Sequence, residues 1–354
     1  MPEDESPLKL QPIRAQLPFG REIVGTSVAA ILESTRLSEA LRQAVLEHGM
    51  VLIRNQELTP EIEERVAMLF PHDTSVPVAD RSGPFNLAGT GVKENSTGGA
   101  SRWKVPSHPV VQLQGCGKIV DHFGIPDGEM RSEWASVEWH TDGIHDDVAS
   151  RRTLPPVLTS MYVLETPAVG AETLFASGRA AFQNLSPELR ERALRLVATY
   201  DCNFRPVEPN GTRARPEHVH SKDGFGVSSR WPVVITDRMG APSLYMAPAF
   251  TRQVDDEGTP LEVEEGQSLL GKLLSIGLSL PEGWHAPADG STPIPETDNV
   301  LVHQWRSGDL VLWDNRSMLH SATPTSRYNA HHPETRRLVH RIRLSACEPV
   351  NAAA

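Results

Sequence analysis

Trp139-His140-Thr141-Asp142 sets an imidazole and a carboxylate two residues apart. In a strand, side chains two apart leave the same face, so His140 and Asp142 would aim at one point while Thr141 points away. Such a pair is two thirds of a 2-His-1-carboxylate metal triad, an arrangement that leaves coordination positions open for small molecules. The spacing alone is common, and His145-Asp146-Asp147 repeats it a few residues later. The neighbours of that second pair read as loop, so the earlier pair is preferred as ligands. Far downstream, Gly308 to Arg316 reads as a strand followed by a turn, and His320 comes next. His320 is the candidate third ligand, although a lone histidine satisfied by a backbone carbonyl is the commoner case.

A third segment, Arg336 to Leu344, has strand periodicity. It puts Arg337, Val339, Arg341 and Arg343 on one face and Leu338, His340, Ile342 and Leu344 on the other. The apolar face suits a core. The arginine face must meet water, acids or an anionic ligand, because an unpaired buried guanidinium is too costly. Its fork suits bidentate binding of a carboxylate.

The elements that must position these residues are mostly short strands. Leu158 to Leu164, Ala171 to Phe175, Leu310 to Asp314 and Leu338 to Ser345 read as strands, as does the apolar run Met50 to Arg54. Ser27 to Glu47 reads as one helix on the recurrence of Leu32, Leu37, Leu41 and Val45. Thr59 caps another, with Glu61, Glu63 and Glu64 near its positive end. Ser186 to Val197 and Glu264 to Leu278 add two more. Residues 77–109 and 281–299 are rich in turn formers and read as loop. Many short strands with few helices suggest a sandwich or barrel, and no linker divides the chain.

Composition bounds the function. The chain has 354 residues, 39% apolar and 22% charged, with a formal net charge of −11. That charge argues against nucleic acid and anionic membrane partners, so an anionic substrate would need local positive charge. Cys116, Cys202 and Cys347 are too far apart for a zinc-cysteine site and fit free thiols in a reducing compartment. No stretch approaches the roughly 18 apolar residues of a membrane span, and the start of the chain shows no secretory signal, so a cytoplasmic enzyme is expected.

Taken in order, Trp-His-Thr-Asp (139–142), Gly-Ala-Glu-Thr-Leu (170–174), Trp-Asp-Asn-Arg-x-x-x-His (313–320) and Arg-Arg-x-x-His-Arg (336–341) resemble the taurine and 2,4-dichlorophenoxyacetate dioxygenases. The resemblance covers about residues 10–348. It implies one mainly β domain with flanking helices over 1–354, a double-stranded β-helix or jelly roll. Insertions are expected near 143–158, 281–303 and 325–333. It implies an enzyme that uses Fe(II), 2-oxoglutarate and O2 to hydroxylate a small organic substrate, with succinate and CO2 released. His140, Asp142 and His320 would be the metal ligands. Thr173 and Arg337 would bind the distal carboxylate of 2-oxoglutarate, and Arg341 an anionic group of the substrate, though the insertion leaves open which of the two arginines does which. The carboxylate of Asp142 argues for hydroxylation over halogenation, since halogenating relatives lack it.

Other readings stay open at this point. They are the same chemistry on a neutral heterocycle such as a purine, oxidative desaturation or cyclisation, a zinc hydrolase, and a non-enzymatic jelly-roll binder. The expected partner is a small molecule, with no nucleic acid and no membrane, and there is room for a homo-oligomer.

Overall fold

Two serines cut the N-terminal helical segment in two. Ser27 accepts a hydrogen bond from the Ala30 N–H and starts α1 (Val28–Glu33). Ser34 is extended, closes α1, and accepts from the Leu37 N–H to start α2 (Thr35–His48). The single helix expected over 27–47 is therefore two, because a serine hydroxyl competes for backbone donors and makes a better cap than an interior residue. Gly49 ends α2 at φ 71°, where a Cβ would lie 2.6 Å from the Met318 sulfur. Thr59 caps α3 (Pro60–Ala67), as expected.

The computed structural model describes residues 7–72, 103–130, 137–144, 154–168, 170–201, 228–281, 295, 297–323 and 336–353. The segments around His145 and Asp147, Cys202 and the expected 325–333 insertion lie outside these. Its nine-stranded sheet contains β1 (Leu10–Pro12), β2 (Arg21–Ile23), β3 (Met50–Ile53), β4 (Lys104–Val105), β5 (His108–Ile119), β6 (Gly128–Met130), β8 (Pro156–Glu165), β17 (Leu310–Asp314) and β19 (Arg337–Ser345). A four-stranded sheet holds β7 (Val137–His140), β9 (Thr173–Ser177), β16 (Leu301–His303) and β18 (Met318–Ala322) in the order β16-β9-β18-β7. A second four-stranded sheet is formed by β10 (Leu196–Asp201), β11 (Ser228–Pro232), β14 (Thr251–Asp256) and β15 (Thr259–Pro260), and β12 (Val234–Thr236) pairs with β13 (Pro242–Leu244). Three further α-helices, α4 (Gly178–Gln183), α5 (Pro187–Arg195) and α6 (Val263–Gly277), and a 3-10 turn at Pro248–Phe250 complete the described elements. None of the described helices is long and apolar enough to cross a membrane.

Several boundaries differ from the periodicity. β9 starts at Thr173, not Ala171, because Gly170 and Ala171 adopt positive φ and cannot continue a strand. The helix expected to Val197 stops at Arg195; Leu196 begins β10, whose Val197, Thr199 and Tyr200 suit a strand. The loop expected to reach residue 109 gives way to β4 and β5, and β5 is a neighbour of β19.

β19 runs antiparallel between β8 and β5 and has a core on each face. Leu338, Ile342 and Leu344 join Val28, Ile31, Leu41, Val45 and Val66 of the N-terminal helices. Val339, on the opposite face, joins Met161, Phe175, Trp305 and Trp313 between the two principal sheets. The expected division of β19 into two faces is what these two clusters display. The candidate site lies on the inter-sheet face.

Candidate metal centre

β7 and β18 are antiparallel neighbours, and His140 stands opposite His320 in their register. Their ring centroids are 4.1 Å apart. β7 ends at His140, so Asp142 is carried by the turn that follows and not by the strand assumed from sequence. That turn still brings it round. Asp142 Oδ1 lies 3.9 Å from His140 Nε2 and 3.7 Å from His320 Nε2. Thr141 points elsewhere and donates to the Met318 carbonyl at 3.3 Å, tying the turn to β18. His140, Asp142 and His320 are all buried, and their ligating atoms lie within 4.8 Å of one another. Among the described residues no other group of three metal-ligating side chains meets that condition.

The protonation states suit a cation. His140 Nδ1 lies 2.7 Å from the Glu138 carbonyl, which makes it the N–H nitrogen and turns Nε2 toward Asp142 as the ligating atom. Burial pushes His320 down to about 4, so it is neutral at pH 7; Asp142 opposes that shift and Arg341 and Arg343 add to it. Burial would raise the Asp142 carboxyl, but Arg341, His320, Arg343 and His140 outweigh it and hold the group well below the ordinary value. Two imidazoles and one carboxylate on a shared point form the donor set of a facial triad. An iron(II) ion fits these residues. His320 Nδ1 is buried without a hydrogen-bond partner, and nothing in the structure explains that.

Arg341 and Arg343 of β19 act on this point, and Arg337 lies further along the same strand. Arg341 contacts Asp142 Oδ1, the oxygen nearest both imidazoles. Arg343 is buried and its charge bears on Asp142. Arg337 is intermediate in exposure, yet its Nε is buried without a partner, and burial lowers the group to about 10. It is placed by a close approach of backbones. Gly115 of β5 has φ 131°, and any Cβ there would collide with the Arg337 carbonyl. Thr173, at the start of β9, is buried and accepts a hydrogen bond from Trp305 Nε1 at 3.0 Å.

Other contributors went unassigned in the sequence. Thr159 donates to Asp142 Oδ2 at 2.7 Å and Trp305 supports Thr173. Thr159 and Ser160 are adjacent hydroxyls in a mostly apolar strand run, a faint signal that does not say which of them faces the site. Asn315 and Trp313 stand in a segment already singled out, but their hydrogen bonds could not be read from spacing.

The family model described as "Taurine catabolism dioxygenase TauD, TfdA family" matches residues 9–276 and 294–343. The gap overlaps the segment expected as an insertion at 281–303. The chain is 24% identical over 326 residues to an alkylsulfatase of Acinetobacter baylyi, covering 90% of this chain and 81% of the other. It is 24% identical over 388 residues to the alpha-ketoglutarate-dependent xanthine dioxygenase of Schizosaccharomyces pombe, covering 97% and 88%. A taurine dioxygenase structure from Burkholderia xenovorans superposes with a TM-score of 0.61 at 19% identity, covering 97% and 91%, and shares the jelly-roll fold. The chain belongs to the TauD/TfdA dioxygenase family, whose members are oxidoreductases that act on small molecules with Fe(II), 2-oxoglutarate and O2.

Proposed function

We propose that His140, Asp142 and His320 hold iron(II), that Arg337 and Thr173 bind the distal carboxylate of 2-oxoglutarate, and that the enzyme hydroxylates a small anionic substrate whose acidic group meets Arg341. The observation that carries this reading is the pairing of a buried His-Asp-His cluster with arginines on the facing strand. The zinc hydrolase and the non-enzymatic binder are set aside by family membership.

When bound, iron(II) and 2-oxoglutarate supply dioxygen activation and the oxidising equivalents, with succinate and carbon dioxide released. The chain's own residues set the conditions. The Nε of Arg337 is buried with no hydrogen-bond partner among the described residues, so an incoming carboxylate would gain a charge-assisted bond there. Thr173 Oγ1 already accepts from Trp305, which leaves its own proton to donate. Phe175, Trp313 and Val339 wall the inter-sheet space and keep water from the reacting groups.

Asp142 is the carboxylate that Arg341 contacts, and it cannot neutralise both that guanidinium and a divalent metal. A second anion would restore balance, and a carboxylate, sulfonate or sulfate on the substrate would provide it. The same contact favours the runner-up, a neutral substrate such as a purine, because Arg341 already has a partner. A screen for succinate formation, run with iron(II) and 2-oxoglutarate, tests the chemistry. A matched acid and its amide test the charge. Equal turnover of the two, or an unchanged preference in Arg341→Gln, removes the anionic substrate and leaves the chemistry standing.

The reading extends to one domain over 1–354, working in the cytoplasm without nucleic acid or membrane partners. Free thiols at Cys116 and Cys347 and the net charge of −11 support that setting.

A further inference from the structure

Behind the Asp142 carboxylate runs a chain of three hydrogen bonds in which every group is buried. Trp313 Nε1 donates to Asn315 Oδ1 at 2.9 Å. Asn315 Nδ2 donates to Thr159 Oγ1 at 2.8 Å. Thr159 Oγ1 donates to Asp142 Oδ2 at 2.7 Å. β17 and β8 make this possible, because their register sets Trp313 directly opposite Thr159. Asn315 sits in the turn after β17, fully enclosed.

The direction of this chain is fixed by chemistry. An indole nitrogen only donates, so the side-chain atom of Asn315 that faces it must be the carbonyl oxygen. The amide nitrogen then faces Thr159, and it too can only donate. The Thr159 oxygen is therefore an acceptor on that side, and its single proton has Asp142 Oδ2 as the acceptor aligned with it. No rotation of any one member preserves the other bonds. A buried donor or acceptor left unpaired costs about 1–3 kcal/mol, so the members hold one another in place.

We infer that Trp313, Asn315 and Thr159 are positioning residues that fix how many oxygens Asp142 presents to the metal. With Oδ2 engaged from behind, only Oδ1 faces His140 and His320. The carboxylate is held to one metal bond. A triad of three single-atom ligands leaves three positions of an octahedral site open. 2-Oxoglutarate and dioxygen would need all three. A carboxylate free to turn and bind through both oxygens would consume one of them. Trp313 also stands edge-on to the His320 ring, with centroids 5.4 Å apart, so the same indole backs a second ligand. This inference rests on the metal-centre reading above.

The test uses Co(II) binding to the metal-free full chain, measured by titration calorimetry. The separation of the carboxylate stretching bands in the infrared difference spectrum of the Co(II)-loaded protein is the second readout, since one-oxygen and two-oxygen binding separate them differently. Thr159→Val keeps the shape and removes the donor. It is expected to weaken Co(II) binding roughly ten- to a hundredfold, the usual cost of losing an outer partner, and to shift the bands toward two-oxygen binding. Thr159→Ser is expected to restore both. Where Thr159→Val does not fold, Trp313→Phe reads the chain from its far end, because Asn315 is then free to turn over; the same band shift is expected. If the wild type binds Co(II), Asp142→Ala does not, and Thr159→Val or Trp313→Phe matches the wild type in both readouts, the inference is overturned and the metal centre survives. If Asp142→Ala binds Co(II) as tightly as the wild type, both fall.

Discussion

On the helix side of β19, His340 is fully enclosed, with Nδ1 2.7 Å from Glu63 of α3 and Nε2 2.8 Å from His122 Nε2. On the inter-sheet side, Arg337 and Arg341 each keep a buried Nε with no partner, and so does the Nδ1 of His320 beyond them. One strand thus buries polar groups in two ways. Burial pushes Glu63 well above its ordinary value and His340 down to about 4, so both favour their neutral forms and satisfy each other without net charge. The helix-side cluster is closed: neither Glu63, His122 nor His340 has a buried polar atom left over. The inter-sheet side is unfinished as protein among the described residues, and in the proposed reading the two arginines there are completed by ligands. Unmet hydrogen-bonding capacity, more than buried charge as such, separates a binding face from a structural one.

The largest effect expected from breaking this contrast is on the open face. Arg337→Ala should raise the KM for 2-oxoglutarate by roughly ten- to a hundredfold, the worth of a charge-assisted fork at about 1.5–3 kcal/mol. It should leave thermal stability unchanged or slightly higher, because it removes a buried cation whose Nε has no hydrogen-bond partner among the described residues. Steady-state kinetics and a thermal melt on the same preparation check both halves. A larger KM change in Arg341→Ala would exchange the roles of the two arginines.

On the closed face the pattern should invert. Glu63→Ala strands the enclosed His340 Nδ1 and should cost about 1–3 kcal/mol of stability, read by urea denaturation. Co(II) affinity should not change. Glu63→Gln keeps a donor toward Nδ1 and should recover most of the loss, since the bond joins neutral groups. Equal losses for Ala and Gln would mean that Glu63 is ionised and that the face holds a charge pair after all.

The division of β19 into two faces was legible because strand alternation is a property of the backbone, and every second residue there differs sharply in type. His140 and His320 were legible as ligand candidates by residue type, but the reason they meet, the register of β7 against β18, is a tertiary fact. Glu63 read as a first-turn acid favoured by the helix dipole. It is in fact buried, because α3 packs on the sheet over His340. Local rules place a carboxylate on a helix but do not say what lies beneath. The break at Ser34 was missed because apolar spacing continues across it while the capping hydroxyl ends the helix. β10 was missed for a related reason: α5 runs straight into it without a glycine or proline to mark the change.

Acid should separate the two kinds of burial more gently than substitution does. His122, His320 and His340 are each pushed by burial from 6.5 to about 4. Between those values the unfolded chain takes up protons that the native one refuses, so stability rises with pH through that window and falls as pH drops from about 6.5 toward 4. Glu63 acts with the opposite sign. Raised above 4.5, it keeps a proton in the fold that the unfolded chain has released, and this costs stability as pH climbs. Urea denaturation at a series of pH values should therefore show the metal-free protein losing stability on acidification. The loss should be steeper in Glu63→Gln, where the opposing group is gone. A shallower slope in that variant would contradict the neutral pairing of Glu63 with His340.

The smallest expected effect tests whether the two faces are independent. Tyr162 of β8 stands beside His340 in the sheet register. Its hydroxyl donates to the Gln56 carbonyl at 2.9 Å and accepts from the Leu58 N–H at 3.2 Å. These two bonds pin the stretch of chain that enters α3, where Thr59 is the cap and Glu63 follows one turn later. Tyr162→Phe keeps the packed ring and removes both bonds. The backbone groups it releases are only partly buried, so water can replace the hydroxyl, and the cost should be about 0.5–1.5 kcal/mol. The loss should appear in urea denaturation and be absent from Co(II) affinity and from the KM for 2-oxoglutarate, because no inter-sheet ligand shares a hydrogen bond with Tyr162. Were Co(II) binding to weaken as far as in Thr159→Val, β19 would have to transmit strain from one face to the other, and the closed cluster around His340 would count as part of the metal site's support.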